Sequence, residues 1–191
     1  MNEHVRAKCA KARALTGFIR RETRELADPL VARSLYTSLV VPHLEYASIV
    51  WAPHYTTFIT LVEKVQERAL RFFASLLPSP PSPLSYYELC LLFKLRPLHE
   101  RRAVALGLFA FDLMSGRIDS SQLLSRLNFN CPTRVSRHHT LFVPFRFSAN
   151  YAFYGPINEI MTTLNRFANI FDFGMERNML RRRIQNALSN D

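Results

Sequence analysis

The stretch LYTSLVVPHLEYASIVWAPHYTTFITLVEKVQERALRFF, residues 35–73, decides the fold of this 191-residue chain. It contains the only tryptophan, Trp51, between Pro42 and Pro53. A residue that precedes proline is pushed out of the helical region of backbone space. The stretch therefore predicts a helix that stops or kinks just before Pro42, a short second helix after it, and an end at Pro53.

The second half of this stretch predicts an amphipathic helix over residues 57–76. Charged side chains occupy one side, and Glu67 is placed to pair with Arg71 one turn later. Thr60 and Glu63 have the spacing of a capping box, which would start the helix at Thr60, and Thr57 is an earlier N-cap candidate. The apolar face, at steps of three and four, consists of Phe58, Leu61, Val62, Val65, Ala69, Phe72, Phe73 and Leu76.

On the amino-terminal side, residues 3–25 predict another amphipathic helix. Asp28 at the N-cap and Pro29 at the first helical position then predict the start of the next helix. The apolar face of the first helix is formed by Val5, Cys9, Ala12, Leu15 and Ile19.

On the carboxyl-terminal side, the proline-rich connector PSPPSP, residues 78–83, predicts a division into a helical module at 1–77 and a helical region at 84–191. A helix is predicted from Pro97 to about Ser115, closed by Gly116. From Ala103 to Met114 it is apolar nearly all round, so it is predicted to be central. Shorter helices are predicted at 84–96, from Asp119 or Ser120 to Leu127, and at 157–167 and 175–188.

Residues 128–156 lack a helical period, and Pro144 confines any strand at 141–147 to a sheet edge. The predicted fold class is thus mainly α: a helical bundle with a proline-rich connector and an irregular aromatic and basic segment that includes a short edge strand. An apolar fraction of 48% is sufficient to bury a core.

The net charge of +10 indicates a polyanionic partner, most often nucleic acid, or else a basic surface that aids solubility. Three widely spaced cysteines suggest neither a disulfide framework nor a zinc site and fit a reducing compartment. The first 22 residues lack the apolar core of a signal peptide, and no apolar run is long enough to span a bilayer. These features predict an intracellular protein, in the nucleus or cytoplasm, with no membrane association.

No constellation of catalytic residues is evident. The chain has no adjacent pair of aspartates for two-metal chemistry, no GxSxG nucleophile motif and no glycine-rich phosphate loop. His138 and His139 are adjacent, so they do not share a face for a metal ion. Glu45, Tyr46 and Trp51 suggest an active site, but a packing node in which Glu45 bonds locally accounts for them better. We therefore expect no cofactor, no metal and no small-molecule substrate.

The segment from Ser120 to Asn158 contains no aspartate or glutamate. Arginines neutralise phosphates and aromatic rings stack on unpaired bases, and both residue types alternate here. The alternative is that the rings form a small satellite core that the arginines solvate. The candidate contact residues in this segment are Arg134, Arg137, Arg146, Phe145, Phe147 and Tyr151.

Basic residues also form a stripe on the first helix and a cluster near the carboxyl terminus. Arg181, Arg182 and Arg183 suit the end of a helix, where cations interact well with the helix dipole, or else nuclear targeting or contact with nucleic acid. The stripe on the first helix either tracks a phosphate backbone or is an ordinary solvated face. It consists of Arg6, Arg13, Arg20 and Arg24.

The opening stretch resembles the region after the palm in non-LTR (LINE-type, jockey-like) retrotransposon reverse transcriptases. Two later segments are also similar to that family, and the second of them contains Arg137 ahead of a phenylalanine-rich part. The segments that carry the resemblance are LYTSLVVPHLEYASIVWAP with LVEKVQERALRFF, then ERRAVALGLFAFDLMSGRID, and FNCPTRVSRHHTLFVPFRFSANYAFYGPINEIMTTLNRF.

The resemblance implies a thumb-like helical module with a carboxyl-terminal extension, which helps to hold template–primer nucleic acid behind the palm. The family's catalytic aromatic-Ala-Asp-Asp turn has no match here, so the chain is expected to be a truncated, non-catalytic carboxyl-terminal fragment and no enzyme on its own. Its expected partners are RNA or an RNA–DNA duplex, bound weakly and without sequence specificity, and a reverse transcriptase palm.

The alternative is a helical interaction module that docks on a polymerase palm or a host protein. In that case Trp51, Phe58, Val62 and Phe72 are expected at an exposed apolar surface.

Overall fold

The computed structural model describes residues 2–79, 84–131, 140–172 and 174–189. These residues are mainly α-helical, as the sequence predicts. The chain divides into two compact units, Met1–Arg101 and Arg102–Asp191. No helix in the described ranges is both long and apolar enough to cross a membrane.

The first unit is built on two long helices, α1 and α5, with shorter helices between and after them. On α1 the predicted apolar face is confirmed, since Val5, Cys9, Ala12 and Ile19 are all buried. The helices of this unit are α1 (Asn2–Thr23), α2 (Pro29–Leu35), α3 (Val41–Glu45), α4 (Ser48–Trp51), α5 (Thr56–Ser75), α6 (Tyr86–Leu92) and the start of α7 (Leu98–Met114).

The predicted cap of α2 is confirmed, and the chain then stays helical up to Pro42. The Asp28 side chain accepts a hydrogen bond from the backbone N–H of Leu30 at 2.8 Å. Residues Tyr36–Val40 form a π-helical turn before α3. Since proline supplies no N–H to the helical ladder, the widened turn accommodates Pro42 without an interruption. The predicted second helix is instead split into α3 and α4 by Ala47, which adopts a left-handed conformation with φ of 54°.

The predicted capping box at the start of α5 is wrong. The helix begins at Thr56 with Tyr55 as its N-cap and without a capping hydrogen bond from a side chain. Glu63 was expected to cap its own helix, but its carboxylate lies at the start of α7 instead. Oε1 accepts from the backbone N–H of His99 at 2.7 Å, and Oε2 accepts from that of Leu98 at 3.1 Å.

The carboxylate of Glu63 therefore accepts hydrogen bonds from two of the N–H groups at the start of α7 that have no partner within the helix. The Tyr86 hydroxyl donates to Oε2, so α6 is joined to the same point. Burial raises the pKa of Glu63, but hydrogen bonds from His99, Tyr86 and the two backbone N–H groups outweigh it, and the net pKa is lowered.

Gln66, one turn after Glu63, also connects α5 with the chain that precedes α7. Its buried side-chain amide donates to the backbone carbonyl of Arg96 at 3.0 Å and to the Tyr86 hydroxyl at 3.0 Å. Apolar residues of the same region, among them Leu89 and Leu98, belong to the core of the first unit. These contacts place residues 84–101 in the first unit.

The division of the chain thus differs from the one that the sequence suggested. The compact units separate between Arg101 and Arg102 and not at the proline-rich connector, of which residues 80–83 lie outside the described part. The physical reason is that α6 and the start of α7 bury apolar side chains and hydrogen-bond against α5. A composition shift at 78–83 gives no information about such contacts.

The second unit packs the remainder of α7 against two later helices. Gly116, with φ of 71°, follows α7 as predicted, and Ser120 caps the next helix. Asp112 on α7 forms an ion pair with Arg177 at 2.9 Å. The core beside it includes Val104, Leu108, Phe111, Phe167, Leu180 and Ile184. The helices are α8 (Ser121–Leu124), α9 (Asn150–Phe153), α10 (Pro156–Arg166) and α11 (Arg177–Ser189).

We predict that Glu63→Gln lowers the free energy of unfolding by about 2 to 4 kcal/mol at neutral pH, because the charge-assisted hydrogen bonds from the backbone N–H groups of Leu98 and His99 are lost. A lowered folded-state pKa means that the stabilisation is complete above the unfolded-state value and disappears as pH falls through the folded-state value. The difference between wild type and variant should therefore shrink towards acid pH in urea titrations.

The matched control for this prediction is Glu67→Gln, one turn along the same helix. Glu67 pairs with Arg71 at 2.7 Å, but the Arg71 side chain is 51% exposed. An exposed pair of this kind contributes about 0.5 kcal/mol or less. Equal losses for the two variants would show that Glu63 has no special role at the start of α7.

Candidate nucleic-acid interface

The predicted arginine stripe lies on the solvent-exposed side of α1. Arg6, Arg13 and Arg20 are exposed on the helix, and Arg24 is exposed just beyond its last residue. In the described part of the chain, none of the four forms an ion pair with a carboxylate. Three acidic residues, Glu3, Glu22 and Glu25, share this region with seven arginines and lysines.

Two arginines of the stripe lie over aromatic rings of α5. The Arg6 guanidinium lies 5.8 Å from the centre of the Phe58 ring, and that of Arg20 lies 5.7 Å from the centre of the Phe72 ring. The two contacts have the same sequence offset, so α1 and α5 run parallel to each other. The rings limit the freedom of both guanidinium groups, which lowers the entropic cost of holding a phosphate.

The irregular segment of the second unit is held in place by two asparagines of α10. The amide of Asn158 accepts from the backbone N–H of Phe145 at 3.0 Å and donates to its carbonyl at 2.8 Å. Asn165 does the same for Phe142, at 2.9 and 2.8 Å. Each amide thus pairs with both backbone groups of one residue, as a residue of a neighbouring strand would.

These two pairs of hydrogen bonds explain how residues 140–147 are held in place without a β-sheet. A single antiparallel bridge, Phe129 to Phe142, is the β-pairing present in the described ranges of the chain, so the predicted edge strand is reduced to one residue pair. Asn158 and Asn165 are seven residues apart and therefore lie on the same side of α10. Sequence reasoning did not identify them as positioning residues, although their spacing on an amphipathic helix was a visible signal.

The aromatic residues of this segment divide between core and surface. Phe142 is 1% exposed and is a core residue, so the satellite-core interpretation applies to it. Phe145 and Phe147 remain 40% and 49% exposed and line an open groove of about 250 Å³ together with Arg126. Arg146 is also exposed.

Several predicted contact residues fall outside the part of the chain that the structure describes. Arg134, Arg137 and the His138–His139 pair belong to the range 132–139, and the side chain of Tyr151 is likewise outside it. The candidate residues with described side chains belong to two separate groups: the α1 stripe in the first unit, and Arg146, Phe145 and Phe147 in the second.

The interpretation of Arg181, Arg182 and Arg183 as a helix terminus is wrong. Helix α11 runs from Arg177 to Ser189, so the three arginines lie before its last turn and do not interact with the last carbonyls. All three are exposed to solvent. They remain available for contact with a polyanion.

Trp51 and Glu45 are packing residues, and Glu45 binds a residue far along the chain. The Trp51 indole N–H donates to the carbonyl of Tyr46 at 2.7 Å, and its side chain is buried. Glu45 pairs with Arg101 through both carboxylate oxygens, at 2.6 and 2.8 Å. This pair joins α3 to α7 within the first unit.

The apolar surface expected for a docking module is not formed by the predicted residues. Trp51, Val62 and Phe72 are 6%, 0% and 9% exposed, and Phe58 is partly buried against the same core. These side chains pack between α5 and its neighbours in the first unit, and they do so without a further protein.

No family model, curated protein or solved structure matches this chain. Among the described residues, no cluster of three or more His, Cys, Asp or Glu side chains is placed to hold a metal ion.

We predict that Asn158→Ala lowers the free energy of unfolding by about 2 to 3 kcal/mol, because the backbone N–H and carbonyl of Phe145 lose their partners in a partly buried site. Asn128→Ala is the control, since its amide makes one exposed bond to the Val143 carbonyl. Thermal unfolding checks both. If Asn158→Ala loses no more stability than the control, the hydrogen bonds of Asn158 do not hold the segment in place.

Proposed function

We propose that this chain binds nucleic acid through the arginine stripe of α1, as a non-catalytic support module of a non-LTR retrotransposon reverse transcriptase. In this role it helps to hold template–primer RNA or an RNA–DNA duplex and performs no catalysis of its own. The proposed location is the nucleus or cytoplasm, wherever the parent polymerase works. The support comes from the sequence resemblance and from the surface chemistry of the first unit.

The observation that carries the proposal is the exposure of Arg6, Arg13 and Arg20 without acidic partners in the described part of the chain. A helix rises 1.5 Å per residue, so the stripe is about 21 Å long, a length over which a duplex presents about 12 phosphates. Three arginines along such a line contact the backbone without reading the bases, which fits binding without sequence specificity.

The stripe predicts that the affinity for nucleic acid falls steeply as the salt concentration rises. Each phosphate that an arginine neutralises releases counterions, so the triple variant Arg6→Gln, Arg13→Gln, Arg20→Gln should reduce the slope of log K against log salt by about 3. Its affinity at about 0.1 M salt should fall by about tenfold or more. Anisotropy titrations with a fluorescent RNA–DNA hybrid at several salt concentrations measure both quantities.

The matched control is Arg181→Gln, Arg182→Gln, Arg183→Gln, which removes the same charge from exposed positions of α11. If affinity and salt slope change more in this control than in the α1 variant, the interface lies on α11. Failure of the wild-type chain to bind at low salt would contradict the proposed function itself.

A second candidate function, docking of a partner protein, is favoured by the exposed side of α6. Tyr87 and Leu91, one helical turn apart, are 58% and 79% exposed, and Leu92 is 47% exposed. Exposed apolar residues that lie together are more typical of interaction sites than isolated ones. This surface differs from the one that the sequence suggested.

If α6 is a docking surface, the isolated chain should self-associate, because two copies can bury their exposed apolar side chains against each other. Leu91→Glu should then restore a monomer without unfolding the chain, since the side chain is already exposed. Light scattering across a concentration series measures this. A monodisperse wild-type monomer at high concentration would argue against docking through α6.

A further inference from the structure

A groove in the first unit, separate from the arginine stripe, combines aromatic rings with positive charge. It is open to solvent, has a volume of about 480 Å³, and is lined by His4 and Lys8 of α1 and by residues between the end of α3 and the end of α4. A volume of this size is within the range of about 300 to 1,000 Å³ that is typical of small-ligand sites. The lining residues from this second part of the chain are Tyr46, Ala47, Val50 and Trp51.

Trp51 forms the buried wall of this groove, and Tyr46 forms its exposed wall. The indole N–H of Trp51 is bound to the Tyr46 carbonyl at 2.7 Å, so the tryptophan presents apolar ring surface. The Tyr46 side chain is 75% exposed, and the adjacent Val50 is 62% exposed. A large aromatic face beside an aliphatic side chain is thereby left to solvent at the mouth of the groove.

The charge of the groove selects an anionic ligand. The Lys8 ammonium lies 5.6 Å from the centre of the Tyr46 ring and 6.0 Å from that of Trp51, and His4 meets Trp51 edge-on at 5.6 Å. No carboxylate is among the lining residues. A cationic ligand would compete with Lys8 for the rings, whereas a flat ring that carries a phosphate matches both the aromatic surface and the ammonium.

We propose that this groove binds one unpaired nucleotide of a nucleic-acid strand, with its base stacked on Tyr46 and its phosphate beside Lys8. The base must be unpaired because bases within a duplex are stacked on each other and offer no free face. The inference rests on the proposed function and deepens it: α1 tracks the duplex backbone, and this separate site takes a nucleotide that has left the duplex.

The test uses the intrinsic fluorescence of the full chain, because Trp51 is its only tryptophan and lines the groove. A single-stranded RNA decamer at low salt should quench Trp51, and a blunt duplex of equal length should bind with much less quenching. Tyr46→Ala should abolish the quenching and weaken single-strand binding about tenfold, as loss of one stacked base does. Tyr46→Phe should retain both, since it keeps the ring.

Tyr55→Ala serves as the matched control, since it removes another exposed tyrosine of the same unit, one that does not line the groove. If Tyr46→Ala binds the single strand as tightly as the control does, the groove inference is overturned while the proposed function stands.

A titration with adenosine monophosphate separates the groove from the stripe. Quenching of Trp51 that depends on Tyr46, in a chain that binds neither strand nor duplex, would support the groove and contradict the proposed function. Quenching by a proline-rich decapeptide in place of the single strand would overturn the inference in favour of a peptide site. The absence of any quenching by nucleotide or single strand also overturns it.

Discussion

The contact between the Glu63 carboxylate and the start of α7 is the constraint on which the first unit depends. Two backbone N–H groups of a helix start, a tyrosine hydroxyl and a histidine ring converge on one charged side chain of α5. Gln66, one turn after Glu63 on α5, donates to the carbonyl of Arg96. The chain is therefore held against α5 both just before α7 and at its first residues. Arg101 then pairs with Glu45, which connects α7 to α3 as well.

Both candidate surfaces of the first unit follow from the way α1 packs. Its apolar side is buried, so its arginines and lysines face solvent, and the parallel alignment with α5 brings Arg6 and Arg20 over phenylalanine rings. The same helix supplies His4 and Lys8 to the groove beside Trp51. One amphipathic helix thus presents a stripe of exposed arginines on one part of its surface and positive charge beside aromatic rings on another.

The second unit shows how an irregular segment is stabilised without a sheet. Two side-chain amides on α10 replace the backbone groups of a partner strand and hold Phe142 and Phe145. Phe142 is thereby directed into the core, while Phe145 and Phe147 keep exposed surface beside Arg126. The satellite-core interpretation applies to Phe142, and the hydrogen bonds from α10 determine which rings of the segment are buried and which stay exposed.

The sequence by itself determined the positions of the long helices, the Asp28 cap, the Gly116 end of α7 and the exposure of the α1 stripe. All of these depend on neighbours within about four residues, through helical periodicity and local hydrogen bonds. Only the tertiary structure decided that Glu63 caps α7 and not α5, that Glu45 binds Arg101, and that residues 84–101 belong to the first unit. Those partners are 35 to 56 residues apart, and their meeting depends on the path of the chain between them, which local spacing does not encode.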